Sequence, residues 1–331
     1  MSLAEKNDIQ LTVILPAYNE EQAIGETVLK IHELGLKDCE VLVVDDGSSD
    51  STARVALAAG ARVVSHPYNI GNGAAVKTGI RSARGCVLVF LDGDGQHDPR
   101  DIPRLLAHIP AYHMVVGART RESDTSWHRD AANFVYNRFA SIIANFRIED
   151  LTSGFRVMRA SDARRFCDMF PNTFSYPTTS TLAFLRSGRA VKYVPIRVSR
   201  RKGRSKIKLL RDGSAFLLII LKIAMSFSPL RVFLPVSVLL FLLGLSRYLY
   251  TYLMWHHFTN MSHLLMNSAV IVFMLGLIAE QIASLRLERG DKLFQAGDRE
   301  QYAAFEEYAG KPADPEPAAE AKCADKELRV N

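Results

Sequence analysis

Apolar residues fall in two textures along this chain. Over roughly the first 120 residues, short apolar runs alternate with stretches in which apolar positions recur every three or four residues. Residues 11–15, 40–44, 62–65, 86–91 and 113–116 are predicted strands, each a compact apolar or β-branched run. Residues 20–34, 50–59 and 73–83 carry helical periodicity, the second opened by Ser48, Ser49 or Asp50 as N-cap. Such β-α-β alternation predicts an α/β domain, a Rossmann-like, mainly parallel sheet with helices on both faces. Further on, 126–145 reads as a helix with Phe134, Tyr136, Phe139 and Phe146 as its apolar contacts. Residues 182–187 read as helix and 191–198 as strand.

The second texture is continuous. Residues 232–255 and 264–285 are apolar segments long enough to cross a bilayer, which takes about 20 residues. Their ionisable residues, Arg247 and Glu280, lie toward segment ends, where snorkelling lowers the cost of burial. A pair of buried core helices is the alternative. Before them, 206–226 begins with charges and continues into Phe216 and five aliphatic residues, the pattern of an interfacial helix. Beyond about residue 290 the chain is rich in Ala, Glu, Asp and Lys with Pro312, Pro315 and Pro317, the composition of a disordered tail. The expected division is a cytosolic domain at 1–203, interfacial helices at 204–229, a transmembrane hairpin at 230–287 and a tail at 288–331.

Charge orients this arrangement. Arg200, Arg201, Lys202, Arg204, Lys206 and Lys208 precede the hairpin and Arg286, Arg289 and Lys292 follow it, while residues 255–263 contain no Lys or Arg. The positive-inside rule therefore predicts a multi-pass protein of the cytoplasmic membrane with both ends in the cytosol. Residues 1–10 are polar, so no signal peptide is expected. The net charge of +6 gathers near the membrane segments, which suits an anionic leaflet and not nucleic acid. Cys39, Cys86, Cys167 and Cys323 have no paired spacing and read as reduced thiols.

Chemistry concentrates at predicted strand ends. Asp92-Gly93-Asp94-Gly95-Gln96 sets two carboxylates and an amide oxygen in a glycine turn, hard ligands suited to Mg²⁺ or Mn²⁺ with phosphate filling the open positions. Turn formation is the plainer role of the same residues. Pro16-Ala17-Tyr18-Asn19-Glu20 follows the first strand and Asp45-Asp46-Gly47-Ser48 the second. Glu20 suits either a base or ribose contact or a helix N-terminus. Asp45 and Asp46 suit either a base contact or a capped turn. The glycine-spaced run at 69–75, which includes Gly73, allows close approach to a nucleotide or tight helix packing. In parallel sheets ligands bind outside the carboxyl ends of strands, so these stretches are expected on one rim. Neither G-x-G-x-x-G nor a P-loop is present, which removes the usual dehydrogenase and NTPase signatures.

Together these motifs resemble the family 2 glycosyltransferases of GT-A fold, and within them the polyprenyl-phosphate glycosyltransferases related to dolichyl-phosphate mannose synthase. Gly117-Ala118-Arg119, the stretch 150–156 and Arg200-x-x-Gly203-x-Ser205-Lys206 extend the match, which covers about residues 10–210. The resemblance implies that Pro16, Ala17, Tyr18, Glu20, Asp46, Gly73 and Asp92 hold a UDP- or GDP-linked sugar. It implies Asp92, Asp94 and Gln96 as ligands of Mg²⁺ or Mn²⁺, and Arg119, Ser153, Arg200 and Lys206 as the acceptor-phosphate site. Asp94, Arg119, Arg200 and Lys206 would then be catalytic. Arg and Lys bind phosphate through charge-assisted bonds, and Arg200 and Lys206 stand just before the membrane segments, where a lipid phosphate would arrive.

The implied reaction moves one sugar, glucose or mannose, to a polyprenyl phosphate with inversion, toward a cell-envelope glycan. An anionic phosphate acceptor needs no strong general base. The Q-x-x-R-W motif of processive synthases is absent: neither Trp127 nor Trp255 follows Arg. Relatives often carry an acidic residue just before Leu182 and a Glu before Val-Pro-Ile, where this chain has Tyr176-Pro177-Thr178-Thr179-Ser180 and Tyr193. A metal-dependent nucleotidyltransferase and a non-catalytic scaffold are the alternatives. A homo-oligomer is compatible with the sequence.

Overall fold

The computed structural model describes residues 9–119, 138, 141, 146–172, 176–198, 225, 228–256 and 259–292, with side chains of the last helix described to residue 285. Most of the helix expected at 126–145, most of the interfacial segment at 204–229 and the tail beyond 292 lie outside the described residues. The elements in chain order are β1 (Leu11–Ala17), α1 (Ile24–Glu33), β2 (Cys39–Asp45), α2 (Thr52–Ala58), β3 (Arg62–Ser65), α3 (Asn72–Ser82), β4 (Val87–Phe90) and α4 (Ile102–Leu106). Then come β5 (Met114–Arg119), β6 (Arg156–Arg159), α5 (Ala160–Phe166), α6 (Tyr176–Arg186), β7 (Val191–Ile196), α7 (Leu230–Trp255) and α8 (Asn260–Lys292).

The seven strands form one sheet in the order β3-β2-β1-β4-β6-β5-β7. All neighbours are parallel except β6, which runs antiparallel to both β4 and β5. The connection order reverses between β1 and β4, which makes their carboxyl ends the switch point where open α/β sheets bind ligands. Because β6 runs backward, its first residue, Arg156, stands opposite Phe90 at the carboxyl end of β4. The loop that precedes β6 therefore reaches the same rim.

The central strands read as unbroken apolar runs because both faces are covered. On one face Ile14, Leu42, Val44, Leu88, Phe90 and Val116 pack with Val76 and Ile80 of α3, Phe166 of α5 and Phe184 of α6. On the other, Val13, Leu15, Val43, Val89, Val115 and Val157 pack with Ile24, Val28 and Ile31 of α1, Ala56 of α2 and Leu105 of α4. Gly79 brings α3 down onto the sheet: a Cβ there would lie 2.5 Å from Ile14 Cγ2.

α6 starts at Tyr176, well before the expected 182, and its first turns hold Thr178, Thr179, Ser180 and Thr181, all buried. That polar run has no helical periodicity of apolar residues to read. β6 and α5 were not expected: Arg156-Val157-Met158-Arg159 is short and bounded by charge. The two apolar segments form an antiparallel helix pair, and α8 is longer than expected at both ends. Only 11% and 17% of their most apolar stretches are buried against protein, so they are not core helices of a soluble domain. The helices meet at small residues, as membrane helices do. A Cβ on Gly276 would fall 2.7 Å from Phe233 Cβ, one on Gly244 would fall 2.8 Å from Met266 Cγ, and Ser237 Oγ donates to the Ala269 carbonyl at 2.9 Å.

Gly79→Val tests the packing of α3. Overfilling a close-packed core costs about 1–3 kcal/mol, so thermal melts of the detergent-solubilised chain are expected to shift down by about 4–8 °C.

Candidate active site at the carboxyl rim of the sheet

The loops after β1 and β2 are laced together by polar side chains. Asn19 sits in the left-handed region at φ 55°, which Asn tolerates. Its N–H donates to Ser48 Oγ at 2.9 Å, and its Oδ1 accepts from the Ser49 N–H at 2.8 Å. The Glu20 N–H donates to Thr52 Oγ1 at 2.9 Å, and Glu21 Oε2 accepts from the Ser51 N–H at 3.0 Å. Pro16 and Ala17 are buried at the end of β1, while Tyr18 and Glu20 are half-buried beside the β2 loop.

Asp46 faces inward. Its Oδ2 accepts from the Gly71 N–H at 2.8 Å, and its Oδ1 from the Ile70 N–H at 3.0 Å and from His66 Nδ1 at 2.7 Å. His66 Nε2 is in turn 2.8 Å from Thr78 Oγ1. The carboxylate is thus engaged in shaping the loop that leads into α3, with Gly73 buried in the first turn of that helix. Gly47 makes this approach feasible, with φ at +70° and no room for a side chain: a Cβ would lie 2.4 Å from the Tyr68 carbonyl carbon. Asp45, one residue earlier, accepts from the Ser48 N–H at 3.1 Å.

The Asp92–Gln96 turn stands beyond β4. Asp92 is held against Gly154, where a Cβ would come within 2.4 Å of Asp92 Oδ2. Asp94 is nearly buried, and its Oδ1 accepts from the Gln96 N–H at 3.1 Å. Gly95 between them has φ +72°. His97 packs on Phe155 with ring centroids 5.5 Å apart and sets Nε2 3.8 Å from Asp92 Oδ2. Burial pulls His97 down to about 4, so the ring is neutral near pH 7, and its Nδ1 has no hydrogen-bond partner among the described residues. His97 also forms an antiparallel bridge with Val198, two residues before Arg200.

Among the described residues no three His, Cys, Asp or Glu side chains converge into a closed metal cage. Asp92, Asp94 and Gln96 instead carry oxygen donors at alternate positions of one turn beyond β4. That donor set fits Mg²⁺ or Mn²⁺, which keep positions for water and phosphate oxygens, better than a four-coordinate zinc.

The loop before β6 supplies the last part of the rim. Asp150 takes Arg119 in a fork, Nε to Oδ2 at 2.7 Å and a terminal N–H to Oδ1 at 2.9 Å, and accepts from the Thr152 and Ser153 N–H groups. Burial pushes the Asp150 carboxyl up, but the hydrogen bonds and charge of Arg119, with backbone donors, outweigh it and hold the group below its ordinary value. Arg119 accordingly reaches the rim already paired. Ser153 Oγ is buried with no partner among the described residues. The Ser153 carbonyl accepts from Arg156 Nε at 3.0 Å and from a terminal nitrogen at 2.7 Å. Arg156 is wholly buried, and its other terminal nitrogen reaches the Pro177 carbonyl at 2.8 Å, Ser180 Oγ at 2.7 Å and Thr181 Oγ1 at 3.2 Å. Burial lowers its basicity, yet among the described residues no carboxylate bonds to it.

Of the residues singled out from sequence, Pro16, Ala17, Tyr18, Glu20, Asp46, Asp92, Asp94, Gln96, Arg119 and Ser153 belong to loops or strand ends on this rim, and Gly73 to the first turn of α3. Arg200 and Lys206 lie outside the described residues. Gly154, His66 and Arg156 had no assigned role. Asp150 was legible as part of a motif, and its pairing with Arg119 was not.

Residues 12–166 match the family model for glycosyl transferase family 2, and residues 228–285 match that for the GtrB C-terminal hairpin. An uncharacterized protein of Methanocaldococcus jannaschii is 29% identical over 203 residues, 58% of this chain and 83% of the relative. A dodecaprenyl-phosphate galacturonate synthase of Rhizobium johnstonii is 30% identical over 166 residues, 46% of this chain and 48% of the relative. Among solved structures, glucosyl-3-phosphoglycerate synthase from Mycobacterium tuberculosis in complex with phosphoglyceric acid superposes with a TM-score of 0.52 at 20% identity, covering 65% of this chain and 79% of that one. The same enzyme in complex with Mn²⁺ and UDP-glucose gives 0.51 at 22% identity, covering 64% and 79%. These structural likenesses establish the GT-A-like fold.

Asp150→Asn is expected to lower stability by about 1–2 kcal/mol near neutral pH, because a charged fork is lost while Arg119 stays partly solvated. A depressed carboxyl stabilises the fold above its unfolded value and loses that contribution as pH falls through its folded value. Thermal melts from about pH 6 to pH 3 should therefore be steeper for the wild type than for the variant.

Proposed function

We propose that this chain, a glycosyltransferase with a family 2 domain followed by a GtrB-type hairpin, transfers one sugar from a nucleotide diphosphate sugar to a polyprenyl phosphate. The observation that carries the reading is the bridge between His97 and Val198. It brings the chain entering the Arg200–Lys206 motif to the edge of the Asp92–Gln96 turn, and the same chain then runs into an apolar hairpin. A diphosphate site, a phosphate-binding motif and a lipid-facing anchor are thereby joined in one short path.

In this reading Pro16, Ala17, Tyr18, Glu20 and Asp46 hold the nucleoside beside Gly73, and Asp46 also fixes the loop at 70–71. Asp92, Asp94 and Gln96 hold the divalent cation, which when bound neutralises charge on the departing diphosphate. Arg200 and Lys206 receive the acceptor phosphate and aim one of its oxygens at C1 of the sugar. That oxygen forms the new bond to C1 as the bond from C1 to the nucleoside diphosphate breaks on the opposite face. An α-linked donor gives a β-linked lipid product. The acceptor is already anionic, so the chain's contribution is orientation and charge placement. Arg119, paired with Asp150, positions the loop of Ser153 and Gly154 behind Asp92. The positive-inside pattern sets the sheet and both chain ends on the cytosolic face of the inner membrane.

The donor is a hexose-type sugar, glucose or mannose on the family resemblance. A hexuronate is the second reading, favoured by the named activity of the Rhizobium relative.

The test is incubation of the purified protein with undecaprenyl phosphate, Mg²⁺ or Mn²⁺, and a panel of UDP- and GDP-linked neutral and acidic sugars, followed by mass spectrometry of the lipid. One sugar added to the lipid phosphate is expected. No lipid product with any donor would favour a scaffold. Asp94→Asn is expected to lower transfer by about 100-fold or more while leaving the fold and membrane attachment intact. Wild-type turnover by that variant would remove the proposed metal role.

A further inference from the structure

We infer that Glu280 is a positioning residue, which fixes the height of the rim above the lipid surface so that a membrane-borne phosphate can reach it. The inference rests on the lipid-acceptor reading above. Glu280 lies in α8, the second apolar helix, where an unpaired carboxylate in hydrocarbon would be costly. Both of its oxygens are engaged. Oε1 accepts from a terminal nitrogen of Arg186 at 3.4 Å, and Oε2 accepts from the Leu230 backbone N–H at 3.1 Å. Leu230 is the first residue of α7, whose opening N–H groups have no partner within the helix. One carboxylate thus ties the start of α7, the body of α8 and the last turn of α6.

α6 connects this node to the rim. Its first turns supply the Pro177 carbonyl, Ser180 and Thr181 to Arg156, which grips the Ser153 carbonyl beside the glycine that backs Asp92. Its last residue is Arg186. The helix is a rigid strut of 11 residues between the hairpin and the site. The described chain on either side of the acceptor motif is anchored by the bridge of Val198 to His97 and by Leu230 on Glu280. The geometry of the hairpin agrees. Residues 260–279 of α8 span about 30 Å, the thickness of the hydrocarbon layer. Glu280 then falls at the boundary, and α8 meets α5 of the sheet domain.

The experiment uses the full-length protein in lipid nanodiscs and two acceptors, undecaprenyl phosphate and a short, water-soluble isoprenyl phosphate. Glu280→Ala is expected to raise KM for undecaprenyl phosphate about five- to tenfold. KM for the nucleotide sugar and transfer to the soluble acceptor should stay within about twofold. Glu280→Gln, which still accepts from the Leu230 N–H, should show a smaller rise. Arg186→Ala should resemble Glu280→Ala, with the double variant little worse than either single one. An unchanged KM for the lipid, or equal losses on both acceptors, would overturn the role. A wild type inactive on both acceptors would instead sink the lipid-acceptor reading.

Discussion

A guanidinium in a dry interior needs a shell of oxygen atoms, and Arg156 draws its shell from separate stretches of the chain. The Ser153 carbonyl comes from the loop before β6, and the Pro177 carbonyl, Ser180 and Thr181 come from the start of α6. Leaving any of these groups buried without the arginine would cost free energy comparable to a lost hydrogen bond or more. The loop and the helix are consequently fixed relative to each other and to the sheet. That fixity passes to Asp92, whose carboxylate rests where Gly154 has no side chain. Ser180 and Thr181 are buried for the same reason: they solvate a cation in place of water.

The site is therefore built from three independently braced loops. Asn19 with Ser48 and Ser49 braces the first, Asp46 with His66 and the backbone at 70–71 the second, and Arg119 with Asp150 the third. Each brace is polar and short-range, which leaves the apolar core on both sheet faces free of functional demands.

Much of this was legible in the sequence. Strands β1 to β4 are apolar runs bounded by turns, and the acidic clusters at their ends followed from the rule for parallel sheets. The hairpin announced itself by length alone. Three things were not legible, each for a physical reason. β6 is four residues long and framed by arginines, so it has no periodic signal. Asp46 and Asp45 are adjacent buried carboxylates, and only the three-dimensional loop decides that Asp46 takes His66 and the backbone at 70–71 while Asp45 takes the Ser48 N–H. Gly154 and Asp92 are far apart in sequence, and a missing side chain leaves no local mark of the neighbour that requires it.

The reversal of β6 has an architectural consequence. The chain leaves the sheet after Arg119 and re-enters at Arg156, and the two points are adjacent, with the Gly117 N–H bonded to the Phe155 carbonyl at 2.9 Å. Everything from 120 to 155 is thus an excursion whose departure and return are stapled together at one edge. Its last residues are tied into the fold, Asp150 to Arg119 and the Ser153 carbonyl to Arg156, so one staple sets both the strand register and the loop behind Asp92.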